Sequence, residues 1–370
     1  MGRTRRYALR SLALAALIAL VIAWRPMSER LEAAALLLRL EAPPAEPPDG
    51  LASFRARDVV EERTTFPGPS EQPVRAWRFR PRSEEGAPGL VLVHGVHRDG
   101  IDDLRMRHLG RNLARAGFDV LMPDLPSLRA YRVEPAALDV IAAAARYLAD
   151  MIRQPKVALC GVSFGGGLAL TVAGEQTLGE RVGLVISIGG HHDLGRVMRA
   201  SLASPDPYPR FVLAHRFADD VFPAEDIDDA RAALERLLRG DKGGADDLAA
   251  RLSEEGRRAL SSALSGTEES AQRLADIVRK RAPELDRVSP RGRLAGVRIP
   301  VFVVHGRRDD IIPTTESARI AEELPSAHVL VTPLLSHVAL DADPALGEWW
   351  EAVEWTRGWL GAARALGDRG

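Results

Sequence analysis

Gly161-Val162-Ser163-Phe164-Gly165 sits between two stretches of different character. Before it, Lys156-Val157-Ala158-Leu159-Cys160 reads as a short buried strand. After it, Gly166 to Ala173 is a run of small and apolar residues that reads as a helix. A serine at a strand-to-helix turn with glycine on both sides is the context of a nucleophile elbow. Such a turn strains the serine backbone and pushes the hydroxyl out over the sheet edge, and the glycines remove side chains that would clash there. The helix start supplies unpaired N–H groups and the positive end of a dipole beneath a developing oxyanion. Five residues are slender grounds in a chain with 32 glycines, so the reading depends on the surrounding chain.

Outward from the elbow, strands and helices alternate. Val59 to Phe66 and Val74 to Phe79 are alternating runs parted by Pro67-Gly68-Pro69, the pattern of an antiparallel hairpin. Leu90 to His94, Phe118 to Met122, Val182 to Ile188, Val301 to His305 and Ala327 to Val331 read as further strands. Asp103 to Ala116 and Glu134 to Met151 read as helices between them. This order predicts a mostly parallel sheet covered by helices on both faces. The segment from Asp193 to Arg298 is different. It is charged and carries helical periodicities, for example over Ile227–Leu238, Asp246–Leu260 and Glu268–Arg281. A stretch that long rarely lacks structure, so it reads as an inserted helical cap that would roof the serine.

The N-terminus is polarised. Arg3, Arg5, Arg6 and Arg10 precede an uncharged apolar run from Ser11 to Trp24. That is the pattern of a signal peptide or a short signal anchor. No small-residue cleavage site closely follows it, which favours an uncleaved anchor with the body outside the cytoplasm; the other outcome is a secreted or periplasmic protein. Arg30 to Leu40 reads as an amphipathic helix. The Pro-rich stretch Glu41 to Gly50 then reads as an extended stalk. The expected organisation is therefore an anchor or signal peptide at 1–26, a helix and linker at 27–50, an α/β core at 51–192 and 299–370, and a cap at 193–298.

Composition excludes several classes. With 50 basic and 51 acidic residues and a net charge of −1, no overall field recommends nucleic acid as a partner. The single cysteine, Cys160, rules out an internal disulfide and a cysteine-based zinc cluster. No phosphate loop or dinucleotide fingerprint calls for a cofactor, and the adjacent His191-His192 pair points apart along an extended chain, so no metal is expected.

A serine hydroxyl needs a base to take its proton, and the base needs an acid to fix its tautomer. Two loops beyond strands supply candidates in the order Ser, acid, His. One is His305-Gly306-Arg307-Arg308-Asp309-Asp310-Ile311-Ile312-Pro313; the other contains Ser336-His337. Catalytic groups in such sheets gather at the carboxyl ends of strands.

These segments, with Leu92-Val93-His94-Gly95, resemble the α/β-hydrolase superfamily over about residues 55–365. The resemblance implies Ser163 as nucleophile, His337 as base and Asp309 as orienting acid. Asp310 is then a solvated neighbour, and Asp193 is the rival for members that carry the acid one strand earlier. It implies an oxyanion hole from the backbone N–H groups of Phe164 and Val96, with His97 the less favoured second donor. His94 is expected to anchor its loop. His97, His191 and His192 are candidates to line the substrate pocket. The implied activity is hydrolysis of a carboxylic ester, carboxylesterase- or lipase-like, through an acyl-enzyme, on a small-molecule or lipid-like acyl substrate. A serine at the elbow argues against the branches with a carboxylate nucleophile. Alternatives on the same triad are a peptidase or amidase, a thioesterase and an acyltransferase; a non-catalytic binding protein is the alternative without one.

Overall fold

The computed structural model describes residues 24–44, 46–83, 86–204, 206–336 and 345–367. Eight strands form one sheet: β1 (Val59–Pro67), β2 (Pro73–Pro81), β3 (Gly89–Val93), β4 (Asp119–Pro123), β5 (Val157–Val162), β6 (Val182–Ile188), β7 (Val301–Gly306) and β8 (His328–Thr332). Their order is β1-β2-β4-β3-β5-β6-β7-β8. β1 pairs antiparallel with β2 and β2 with β4, while every other pair is parallel. The central strands are buried along their length, which suits apolar runs covered on both faces. The mostly parallel sheet flanked by helices that the alternation predicts is thus the fold the chain adopts.

The helices are α1 (residues 24–41), α2 (Leu104–Arg115), α3 (Pro126–Arg129), α4 (Ala136–Met151), α5 (Phe164–Gly174), α6 (Leu194–Ser201), α7 (Tyr208–Arg216), α8 (Ala218–Val221), α9 (Ile227–Leu238), α10 (Lys242–Ala249), α11 (Glu254–Leu264), α12 (Glu268–Lys280), α13 (Ala282–Asp286), α14 (Thr315–Glu323) and α15 (Leu346–Gly367). Side-chain alternation along each strand divides the core in two. Val157 and Leu159 of β5 face a cluster with α4, α5, α14 and the helices inserted between β6 and β7. Ala158, Cys160 and Val162 face the opposite cluster with α1, α2 and α15.

Two segments differ from the sequence expectation. Asp246–Leu260 is not one helix. The chain breaks between α10 and α11, where the Asp226 carboxylate accepts from the Ser253 N–H at 2.8 Å and the Ser253 hydroxyl caps α11 by accepting from the Gly256 N–H. A side-chain cap from inside the periodic pattern restarts the helix. Nor do α1 and the Pro-rich stretch stand off as a stalk. Ala33 and Leu36 are buried in the second cluster. The buried Glu32 carboxylate takes both terminal nitrogens of Arg364, at 2.5 and 3.0 Å. The Arg39 carbonyl accepts from His108 Nε2 at 2.9 Å and Asn112 Nδ2 at 3.3 Å, and the Arg111 guanidinium reaches the Pro44 carbonyl. α1 therefore crosses from α15 to α2. Ala33, Leu36, Leu37 and Leu40 fall on one face at helical spacing, and burying that stripe holds the helix on the body.

The charged and apolar residues that suggest an anchor or signal peptide lie outside the described residues up to position 23. Among the described residues, no helix is long and apolar enough to cross a membrane.

Candidate active site

The strand order places a crevice at the elbow. From β3 the chain crosses through α2 to β4 on one side, and β5 then pairs on the other side of β3. The loops after β3 and β5 diverge there, at the kind of switch point where open α/β sheets bind ligands. Ser163 stands on this point. Its φ is 56° and ψ −130°, a left-handed backbone that costs a non-glycine residue about 1–3 kcal/mol. Its N–H donates to the Ile188 carbonyl at 2.7 Å and its carbonyl accepts from the Gly166 N–H at 2.8 Å, so neighbours on both sides hold the turn. The two flanking glycines are required by space. A Cβ on Gly165 would lie 2.6 Å from the carbonyls of Val93 and His94, and one on Gly161 would strike the Gly165 backbone. Phe164 opens α5, so its N–H is one of the amides with no partner inside the helix.

The loop after β3 lies against the serine: a Cβ on Gly95 would be 3.1 Å from the Ser163 Cβ. His94 holds this loop. Its Nε2 accepts from the Leu125 N–H at 3.1 Å, which leaves the proton on Nδ1, 2.8 Å from the Gly95 carbonyl. Burial pushes the His94 pKa below its ordinary value and keeps the ring neutral. Val96 and His97 follow at the mouth of the crevice.

Beyond β7, the Asp309 side chain is wholly enclosed. Its Oδ1 accepts the N–H groups of Ile311 at 3.0 Å and Ile312 at 2.8 Å. The His305 Nε2 lies 2.7 Å from the Ile312 carbonyl and 3.3 Å from Asp309 Oδ2. The carboxylate is thus fixed within a compact loop, while Asp310 is exposed at the cavity rim. Gly306, at the end of β7, packs so closely on the Ser336 carbonyl that a side chain there would collide with it. This brings the loop after β8 against the Asp309 loop. His337 follows Ser336 directly and lies outside the described residues.

A family model described as alpha/beta hydrolase fold matches residues 88–344. The chain belongs to this family. Among solved structures, the hydrolase fold here is similar to an esterase from Pyrobaculum calidifontis, at 20% identity and a TM-score of 0.48, over 93% of this chain and 92% of that one. It is similar to a Pyrococcus furiosus esterase at 13% identity and a TM-score of 0.45, over 82% of this chain and 92% of that one. It is also similar to the acylaminoacyl peptidase of Pyrococcus horikoshii, at 12% identity and a TM-score of 0.49. That match covers 85% of this chain and only 43% of the peptidase, so this chain corresponds to less than half of that protein. No curated protein matches the sequence.

In this hydrolase the crevice opens into a cavity of ≈ 670 Å³. Ser163, Phe164, Val96 and His97 are on its wall. His191 and His192 are not among its lining residues. His191 is fully buried beside α5, with Nε2 3.1 Å from the Val288 carbonyl and its ring 5.8 Å from that of Phe164. His192 is paired with Glu323 at 2.7 Å. Asp193 caps α6 through the Arg196 N–H and pairs with Arg291 at 2.9 Å, away from the cavity wall. Asp124, buried between Arg75 and Arg129, shapes the turn after β4. Among the described residues no cluster of His, Cys, Asp and Glu is arranged to hold a metal ion.

Sequence reasoning assigned no role to much of the cavity wall. Leu36, Leu37 and Leu40 of α1, Ala352, Trp355, Thr356 and Trp359 of α15, and Tyr208 of α7 all face the cavity. A signal existed for two of these sets: residues 33, 36, 37 and 40, and residues 352, 355, 356 and 359, each repeat at i, i+3, i+4 and i+7. Leu36, Leu37 and Leu40 of the first stripe and all four residues of the second face the same space.

Proposed function

We propose that the protein is a serine hydrolase that cleaves carboxylic esters through an acyl-enzyme. The observation that carries the reading is Ser163. It is held in left-handed backbone at the end of β5, at the start of α5 and on the wall of a largely apolar cavity. In the proposed reaction the Ser163 Oγ bonds to the ester carbonyl carbon as its proton passes to His337. Asp309 orients His337 and stabilises its cation. The N–H groups of Phe164 and Val96 donate to the oxyanion, each such donor typically contributing about 2.7–4 kcal/mol. The carbon–oxygen bond then breaks, and His337 returns the proton to the leaving alcohol. Water, activated by the same histidine, releases the acid and restores Ser163.

The body is proposed to be held at a membrane by its N-terminal segment, facing away from the cytoplasm. The four arginines before the apolar run support this, as do the exposed Trp24 at its end and Met27 beyond it. Retention of the full chain in the pellet after alkaline carbonate extraction is expected; full release would contradict the anchor.

The test of the chemistry is turnover of matched p-nitrophenyl ester, thioester and p-nitroanilide substrates by wild type and Ser163→Ala. The ester reading predicts the highest kcat/KM for the ester and its loss in the variant. A faster anilide would move the reading to an amidase. Equal turnover by the variant would overturn it.

A further inference from the structure

The cavity is walled by two sets of residues, and Ser163 stands between them. One set, Val197 and Met198 of α6 with Tyr208, Val212 and Leu213 of α7, lies over the strand ends. The other lines the face of the sheet where α1, α2 and α15 pack. Its sheet side is Cys160, Val162, Ile186, Ile188 and Val304, and its helix side includes Leu109 and Leu113, Trp355 and Trp359, and the leucines of α1. Alternation along β5 places Cys160 and Val162 on the side away from α4, so this arm runs beneath the sheet edge and not into the inserted helices. Most of its surface is hydrocarbon and indole. Its polar side chains are Thr332, Thr356, the buried His108 of α2, whose pKa burial lowers, and the carboxylate of Glu41, the exposed last residue of α1. Burial pushes the Cys160 thiol up to about 12, so it stays protonated. The other charged wall residues, Asp103, Arg105, Asp206 and Asp310, lie on the loops and helix starts near the strand ends.

We propose that this second arm is an acyl-chain site that takes the long hydrocarbon chain of the substrate's acid half, with α1 as its outer wall. The proposal rests on the ester reading and specifies its substrate class. A channel whose one carboxylate, Glu41, is exposed and whose other polar groups are few offers an alkyl chain the removal of its surface from water and offers a polar acyl group little. It starts at the nucleophile, where the chain's carbonyl must sit. α1 closes it because the helix crosses from α15 to α2 and turns Leu36, Leu37 and Leu40 inward.

Two experiments test it on the full-length protein. The first compares kcat/KM for p-nitrophenyl acetate, octanoate, laurate and palmitate in wild type, Leu37→Trp and Leu40→Trp. Wild type is expected to favour laurate over acetate by at least tenfold. Each tryptophan is expected to lower that ratio by at least tenfold, and the residual acetate turnover reports that the variant is folded. A wild type that prefers acetate, or variants that leave the ratio unchanged, would overturn the proposal. The second needs neither turnover nor a variant of α1. Ser163→Ala is irradiated with palmitic acid carrying a diazirine near its methyl end. Adducts in peptides spanning 33–44 or 352–359 are expected; adducts confined to α6 and α7, or none, would overturn it. Adducts at the expected sites with no esterase activity in wild type would sink the ester reading and leave the chain-binding arm standing.

Discussion

Two elements outside the strand–helix alternation wall the cavity, and they differ in how their charges are placed. The inserted helices α6–α13 carry many of their charges on solvent-facing surfaces, as in the i,i+4 pairs Lys242–Asp246 and Arg258–Glu254. Such pairs contribute a few tenths of a kcal/mol. α1 buries charges where it meets α15, as the insertion does at Arg216, which faces Glu134 and Glu284. Glu32 is almost fully enclosed and faces Arg364, Arg55 and Arg57. The Arg39 guanidinium is buried too, and burial brings its pKa down to about 10. A helix that only tethered a catalytic body would not pack a carboxylate and a guanidinium into it. α1 is thus part of the globular unit, and the insertion joins the same unit through the apolar cluster it shares with β5, α4 and α5.

The largest expected effects concern the groups proposed to react. Ser163→Ala should lower kcat by about 10⁴–10⁶-fold, and Asp309→Asn by about 10⁴-fold, with circular dichroism spectra unchanged. An Asp309→Asn enzyme with normal rates would move the acid to Asp310, at the cavity rim. The comparison itself is sharpened by charge deletion. Glu32→Ala should destabilise the protein by about 1.5–3 kcal/mol, since it removes the buried carboxylate that accepts from Arg364. Glu254→Ala should stay within about 0.5 kcal/mol. Urea unfolding of both measures the contrast, and similar small losses would show α1 to be peripheral.

A pH series gives a smaller effect. Burial lowers the pKa of His94, His108, His191 and His215 below the ordinary value of 6.5. The unfolded chain therefore binds protons below pH 6.5 that the folded chain refuses. Stability is full above that pH and falls as pH drops through it, by up to about 1.4 kcal/mol per unit for each histidine. Thermal unfolding at pH 7.5, 6.5 and 5.5 should show the loss confined to the acid side; a flat profile would mean that these rings protonate in place. The smallest effect is at Cys160. Its thiol should resist iodoacetamide at pH 8 in the native protein and react only after denaturation, and rapid native alkylation would contradict a protonated thiol.

The sheet was legible because its strands are near-continuous apolar runs, and the elbow because glycine and serine stood at a strand-to-helix junction. What could not be read was any contact that spans the chain. Glu32 and Arg364 are more than three hundred residues apart in sequence, so the Pro-rich stretch after α1 suggested a stalk when the helix was in fact bridging α2 and α15. The pair His191-His192 ended a strand near the crevice, yet its partners Val288, Glu316 and Glu323 come from distant segments and turn both rings into the body. The break between α10 and α11 was hidden for the same reason: Asp226, which fixes Ser253, lies two helices away.

The central claim is an activated serine at position 163. Its most direct test is a fluorophosphonate reaction with the full-length protein, followed by digestion and mass mapping of the adduct. The account predicts one phosphonylated peptide, modified at Ser163 and absent when the protein is first unfolded. A folded protein that takes up no probe, or carries it on another residue, would contradict it.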